Sequence, residues 1–213
     1  MDQRAAGRRE DELVRRPYRV LFVCTGNLAR SPAAELLLTH RLAGAPIVVS
    51  SAGVQAVDGA EMSAPMAALV AAAGVRTDDF RSRQLSVDMV RDAALILTAT
   101  RRHRSAVVTL DPAAVRRTFT ILEFARLAQI VDQSTDADSL DRGRRLTGQI
   151  QNLAKWRRAP SDPAVDDLAD PFGRSGKYYR ACYAQLVGAV DVIAPFLQAC
   201  GATDFPRTVQ EAS

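Results

Sequence analysis

The chain has 213 residues, 47% of them hydrophobic, which suits one good-sized core and is short for two. Its net charge of +4 comes from 28 Lys and Arg against 24 Asp and Glu, scattered rather than clustered, so no nucleic-acid partner is expected. No run suggests the roughly 20 apolar residues of a spanning helix, and the start lacks the apolar stretch of a signal peptide, so a cytoplasmic protein without a membrane partner is expected.

Residues 1–17 are polar and carry the pairs Arg8-Arg9 and Arg15-Arg16, which predicts a mobile basic tail. Arg19 to Val23 is a short apolar run rich in β-formers, the pattern of a strand buried on both faces of a parallel sheet. Ser31-Pro32-Ala33-Ala34-Glu35 reads as a helix start with Ser31 as cap, and the helix is expected to run to about Ala43 before Gly44. Further strands are expected at Ile47–Ser51, Ala94–Thr98 and Thr118–Leu122, separated by helices over Ala64–Ala73 and parts of Arg101–Val115. Alternating strands and helices imply right-handed crossovers, hence a three-layer α/β sandwich around a parallel sheet. A polar insert with a possible helix is expected at about 132–160. Tyr179, Cys182, Leu186, Val190, Ile193 and Leu197 mark one face of a long final helix, with a tail from Gly201 to Ser213.

Cys24, Cys182 and Cys200 are odd in number and show no metal-ligand spacing, so neither a disulfide framework nor a metal site is predicted. Cys24 stands apart by position. A thiol at the carboxyl end of a buried strand, before a loop that opens a helix, sits where backbone N–H groups converge on an anion and also favour a thiolate. Gly26 and Asn27 suit the backbone turns of such a loop. Arg30 supplies a planar fork matched to two phosphate oxygens. Ser31 is expected both to cap the helix and to reach the Cys24 sulfur. The bland reading of this stretch, a buried structural cysteine beside an ordinary turn, leaves Asn27, Arg30 and Ser31-Pro32 without a common purpose. A thiol nucleophile also needs an acid and a base. Asp170 is the candidate, held by Pro171 and the turn at Gly173. Asp111-Pro112 and Asp162-Pro163 share the dipeptide and are read as turns or helix starts. His40 and His103 are expected in surface or packing roles.

The segments Val20–Glu35, Ser51-Ala52-Gly53, Ser82-Arg83-Gln84-Leu85 and Asp170-Pro171-Phe172-Gly173 together resemble the low-molecular-weight protein tyrosine phosphatase family, over most of residues 18–200. The resemblance implies a four-stranded parallel sheet of order 2-1-3-4 with a phosphate-binding loop after the first strand. It implies hydrolysis of phosphotyrosine in proteins through a Cys24 thiophosphate, with Arg30 as phosphate clamp and Asp170 as acid, then base. Thr25, Gly26, Asn27, Leu28, Ala29 and Ser31 would form the loop, with Asn27 and Ser51 bracing it through hydrogen bonds, and no cofactor or metal is implied. Phe172 resembles one aromatic wall of the substrate cleft, and the opposite wall aligns loosely with Val57. Ala29 stands where some members carry a second loop cysteine. A tyrosine-phosphorylated protein is the expected partner, the chain itself being a monomer or weak dimer. Two rival readings are an arsenate reductase drawing on an external low-molecular-weight thiol and a non-catalytic phosphate or phosphopeptide sensor.

Overall fold

The structure, a computed structural model, describes residues 17–130, 142–155 and 162–201. Of the expected basic tail only Pro17 is among them, and the expected C-terminal tail beyond Gly201 and the edges of the 132–160 insert lie outside. Four strands, β1 (Tyr18–Cys24), β2 (Ile47–Gly53), β3 (Leu95–Thr98) and β4 (Thr118–Thr120), form a parallel sheet of order β2-β1-β3-β4. The helices follow as α1 (Arg30–Arg41), α2 (Ala64–Ala72), α3 (Val87–Asp92), α4 (Arg101–Leu110), α5 (Ile121–Ala128), α6 (Arg142–Lys155) and α7 (Gly176–Gly201).

The continuous apolar run of β1 is explained by burial on both faces. Val20, Phe22 and Cys24 enter one core with Leu37 and Leu38 of α1, Phe124 of α5, and Leu186, Ile193 and Phe196 of α7. Leu21 and Val23 enter the other, closed by Val90 of α3, Val107 of α4 and Ala114 of a short 3-10 turn at Pro112–Arg117. The three-layer arrangement follows.

Some boundaries differ from expectation for physical reasons. Helix α1 begins at Arg30, its N-cap is Ala29, and no side chain caps it. Ser31 is therefore not the cap; its hydroxyl turns toward Cys24 and Asn27 instead. Strand β4 stops at Thr120, because Thr120 and Glu123 form a capping box that starts α5 within the apolar run read as strand. Helix α3 escaped the sequence reading, although Ser86 caps it by accepting from the Met89 N–H. Asp111 and Asp162 do act as turn-starters, each capping a 3-10 helix. Helix α6 lies in the expected insert and buries Ile150 and Leu153 in the first core.

Helix α7 also corrects the composition argument. Its stretch Gly176–Gln198 is long and apolar enough to cross a membrane by length and composition alone. Its apolar face from Tyr179 to Leu197 is instead core against α1 and α5.

Phe119, Phe124 and Phe196 stack edge to face, with ring centroids 5.5 and 5.6 Å apart, and tie β4, α5 and α7 together. Phe124→Ala empties the middle of that cluster and is expected to cost about 3–5 kcal/mol of stability, read from urea unfolding followed by circular dichroism.

Candidate active site

The loop after β1 is built around Asn27, a fully buried residue with φ of 54°. This left-handed backbone is one that asparagine tolerates better than most residues. Its side chain holds the turn in place. Nδ2 donates to Ser31 Oγ at 2.9 Å and to Ser51 Oγ at 2.7 Å, and Oδ1 accepts from the backbone N–H of Arg83 at 2.8 Å. Ser51 passes its own proton to Glu35 Oε2 at 2.5 Å, and Arg83 pairs with the other Glu35 oxygen at 3.2 Å. Ser31 Oγ, which accepts from Asn27, lies 2.9 Å from the Cys24 sulfur, where either atom can donate, and 3.4 Å from the Ala52 carbonyl oxygen, to which its hydroxyl can also donate. Cys24 is 2% exposed.

Gly26 does not take the unusual backbone conformation expected of it. An added Cβ there would come no nearer than 3.7 Å to the Leu28 side chain. The indispensable glycine is Gly53, paired with Cys24 across the sheet, where an added Cβ would lie 2.5 Å from the Thr25 carbonyl oxygen and 2.8 Å from the Asn27 nitrogen. Leu28 and Ala29 complete the loop, the Leu28 carbonyl accepting from the Ser63 N–H at 2.7 Å.

Beside the loop lies a cavity of about 460 Å³, lined among others by Thr25, Arg30, Val54, Gln55, His103 and Asp170. Arg30 is buried, and its Nη2 donates to Asp170 Oδ2 at 2.6 Å and to Thr25 Oγ1 at 3.3 Å, while Nη1 reaches the Leu168 carbonyl at 3.3 Å. The segment carrying Asp170 is tethered to the end of β3 by the Leu168 N–H bond to the Ala99 carbonyl, and its neighbours Asp166 and Asp167 pair with Arg126 and Arg101. Asp170 Oδ1 accepts from the Phe172 N–H at 3.2 Å, and Gly173 closes the turn with φ of +72°. Phe172 and Val57, expected as cleft walls, are 60% and 78% exposed, and neither lines this cavity. The Val57 carbonyl accepts from Ser82 Oγ, and it is Val54 and Gln55 that line the cavity. Among the described residues, no group of three His, Cys, Asp or Glu side chains is arranged to hold a metal.

Residues 19–133 match the family model of the low molecular weight phosphotyrosine protein phosphatases. The chain belongs to that family. It is 33% identical over 183 residues to a protein-arginine-phosphatase of Geobacillus stearothermophilus, spanning 85% of this chain and 97% of the relative. It is 32% identical over 143 residues to the probable low molecular weight protein-tyrosine-phosphatase AmsI of Erwinia amylovora, spanning 67% of this chain and 96% of the relative. The solved structure of the Geobacillus stearothermophilus YwlE arginine phosphatase superposes with a TM-score of 0.62 at 32% identity, covering 85% of this chain and 94% of that one. The enzyme is thus a phosphatase, a hydrolase.

Several residues of this low molecular weight phosphatase serve the site in roles that the sequence did not show. Glu35 and Arg83 brace the back of the loop, and burial raises the Glu35 carboxyl above its ordinary range against the hydrogen bonds from Ser51 and Arg83. His103 was read as a surface or packing residue. The residue is 6% exposed, and its ring bridges Thr100 Oγ1, 2.7 Å from Nδ1, to Thr25 Oγ1, 2.9 Å from Nε2. Burial, with Arg30 next in weight, pushes its pKa down to about 4. Cys182 is also buried and is pushed up to about 11 by that burial, so it is held as a neutral thiol.

Gly53→Ala is expected to abolish turnover of p-nitrophenyl phosphate and lower the melting temperature, whereas Gly26→Ala keeps the fold; steady-state assays and thermal melts compare the two. For His103, protonation is opposed by the fold, so its contribution to stability is full above its ordinary value of 6.5 and is lost as pH falls from there through about 4. A ring-proton NMR titration is expected to show His103 still neutral at pH 5.5, with the melting temperature falling over that acid range less steeply in His103→Gln than in the parent.

Proposed function

We propose that this enzyme is a phosphotyrosine protein phosphatase that works through a Cys24 thiophosphate. The observation that carries the reading is the recessed Cys24 sulfur, 2.9 Å from a Ser31 hydroxyl whose proton can serve it, beside the paired Arg30 and Asp170. In the free enzyme Arg30 is held by Asp170. An incoming phosphate takes over those donors and leaves the carboxyl group to face the ester oxygen. The Cys24 thiol proton passes to the freed Asp170 carboxylate; the thiolate then attacks phosphorus, the S–P bond forms, and the P–O bond to the leaving group breaks as Asp170 gives that oxygen the proton. Arg30 and the loop N–H groups follow the charge on the equatorial oxygens. In the second step Asp170 takes a proton from water as the water attacks phosphorus, and Ser31 donates to the departing sulfur.

The recessed sulfur, 2% exposed, favours a phosphate carried on a long side chain over phosphoserine. Among long arms, a neutral aryl ring suits a cavity whose charged lining is Arg30, Arg102 and a single carboxylate, Asp170, with Val54 and Ala106 as apolar wall. Phe172, exposed next to Asp170 in sequence, is available to an aryl group at the rim. A second reading, hydrolysis of phosphoarginine, is favoured by one observation: the named arginine phosphatase matches over nearly its full length. Gln55 offers that substrate a neutral acceptor for its guanidinium.

Matched peptides carrying phosphotyrosine or phosphoarginine separate the two. The phosphotyrosyl peptide is expected to be cleaved with at least about tenfold higher kcat/KM, equivalent to about 1.4 kcal/mol; the reverse preference selects the second reading. Cys24→Ser is expected to abolish both activities, and Asp170→Ala to slow substrates with poor leaving groups about 10²–10⁴-fold while sparing p-nitrophenyl phosphate. Phosphate binding without turnover of any of these would mark a sensor instead.

A further inference from the structure

We propose that His103 is a positioning residue for phosphoryl transfer: its ring, held by Thr100, orients the Thr25 hydroxyl so that its proton points at a phosphoryl oxygen. The proposal rests on the reading of the Cys24 loop as the seat of that reaction. It follows from counting donors and acceptors. Thr100 is the N-cap of α4, and its Oγ1 accepts from the His103 backbone N–H at 3.4 Å and lies 2.7 Å from the ring Nδ1. Of the groups hydrogen-bonded to Thr100 Oγ1, Nδ1 is the one that can accept its proton, so that proton is assigned to Nδ1, which leaves the single ring proton on Nε2. Nε2 then donates to Thr25 Oγ1 at 2.9 Å, and Arg30 Nη2 donates to the same oxygen at 3.3 Å. Both lone pairs of Thr25 Oγ1 are filled. Its own proton must be given elsewhere, and Thr25 lines the cavity beside Arg30 and Asp170.

The opposite tautomer has a different consequence. Were Nδ1 protonated, Thr25 would spend its proton on Nε2 and offer the phosphate only a lone pair, which repels an oxyanion. The lowered basicity of His103 keeps the ring to one proton at neutral pH, so the two states are alternatives. Charged groups facing the ring are Arg30 and Arg102, which oppose a second proton, and Asp170 and Asp167, which favour it. His103 thus acts on the substrate only through Thr25. In the sequence it lies 78 residues from its partner, on the first turn of α4.

A double-mutant cycle with p-nitrophenyl phosphate, whose good leaving group makes the acid step unimportant, tests the relay. Thr25→Val and His103→Phe are each expected to lower kcat/KM about tenfold and to weaken inhibition by inorganic phosphate similarly, as for loss of one hydrogen bond to a charged group. The double variant is expected to be no worse than Thr25→Val alone. Effects that multiply to about a hundredfold, or an unchanged His103→Phe, overturn the proposal. If His103→Phe fails to fold, His103→Leu takes its place in the cycle, and His103→Gln, whose amide can supply the donor to Thr25, is expected to retain the activity that His103→Leu loses. Long-range nitrogen–proton NMR of the parent enzyme is expected to show the proton on Nε2, and finding it on Nδ1 overturns the proposal without any assay. An inactive parent would defeat the reading of the loop, while the tautomer would still be measured.

Discussion

The left-handed turn at Asn27 is a conformation that costs a non-glycine residue of order 1–2 kcal/mol unless its surroundings repay it. Here the repayment is three side-chain hydrogen bonds, which tie the turn to Ser31, to Ser51 on β2 and to the backbone at Arg83. Each partner is itself fixed: Ser51 and Arg83 share Glu35, and Ser31 lies in the first turn of α1. The turn therefore sets the direction of the chain from Cys24 to Arg30, and with it where the sulfur and the guanidinium stand. Glycine at 53 is the matching requirement on the sheet side, since the loop packs on the place a Cβ would fill.

The front of the site has a different construction. Arg30, Thr25, His103 and Thr100 form a chain of hydrogen bonds from the loop to the N-terminus of α4, and Asp170 closes on Arg30 from a segment pinned to the end of β3. All of these lie at or beyond the carboxyl ends of parallel strands, where loops from neighbouring crossovers converge and open α/β sheets place their ligands. The back brace is a buried, interlocked network; the front is an ion pair with one partner half exposed, 5% against 49% for the two side chains. That asymmetry suits a site that must keep its loop rigid while exchanging the arginine's partner for a phosphate.

The sheet and the loop were legible because strong local signals agreed: the doubly buried run of β1, the alternation of strands with helices, and the apolar stripe of α7. Where signals competed, the sequence misled. Ser31 before Pro32 has the form of a helix cap, but the loop's need for a hydroxyl at the sulfur outweighed capping. Ile121 and Leu122 continue the apolar run of β4, and only the Thr120 and Glu123 pair marks the switch to helix. Gly26 drew attention as the loop's glycine, whereas the steric demand falls on Gly53 through the β1–β2 register, which no local pattern reveals. His103, Glu35 and Arg83 become site residues by folding alone, being 78, 16 and 56 residues from the groups they hold. Val57 was placed by loose alignment, and the chain turns outward before reaching it.

The Arg30–Asp170 pair spans 140 residues of sequence. On a ribosome adding about 5–20 residues per second, the carboxylate is made on the order of ten seconds after the arginine. The hydrogen bonds of Asn27 that hold the loop's turn all go to residues in the first half of the chain, Ser31, Ser51 and Arg83. The residues that brace the cradle are therefore all made well before its proton donor. Catalytic competence then becomes a report on a completed chain, since the carboxylate stands just before α7, the last element.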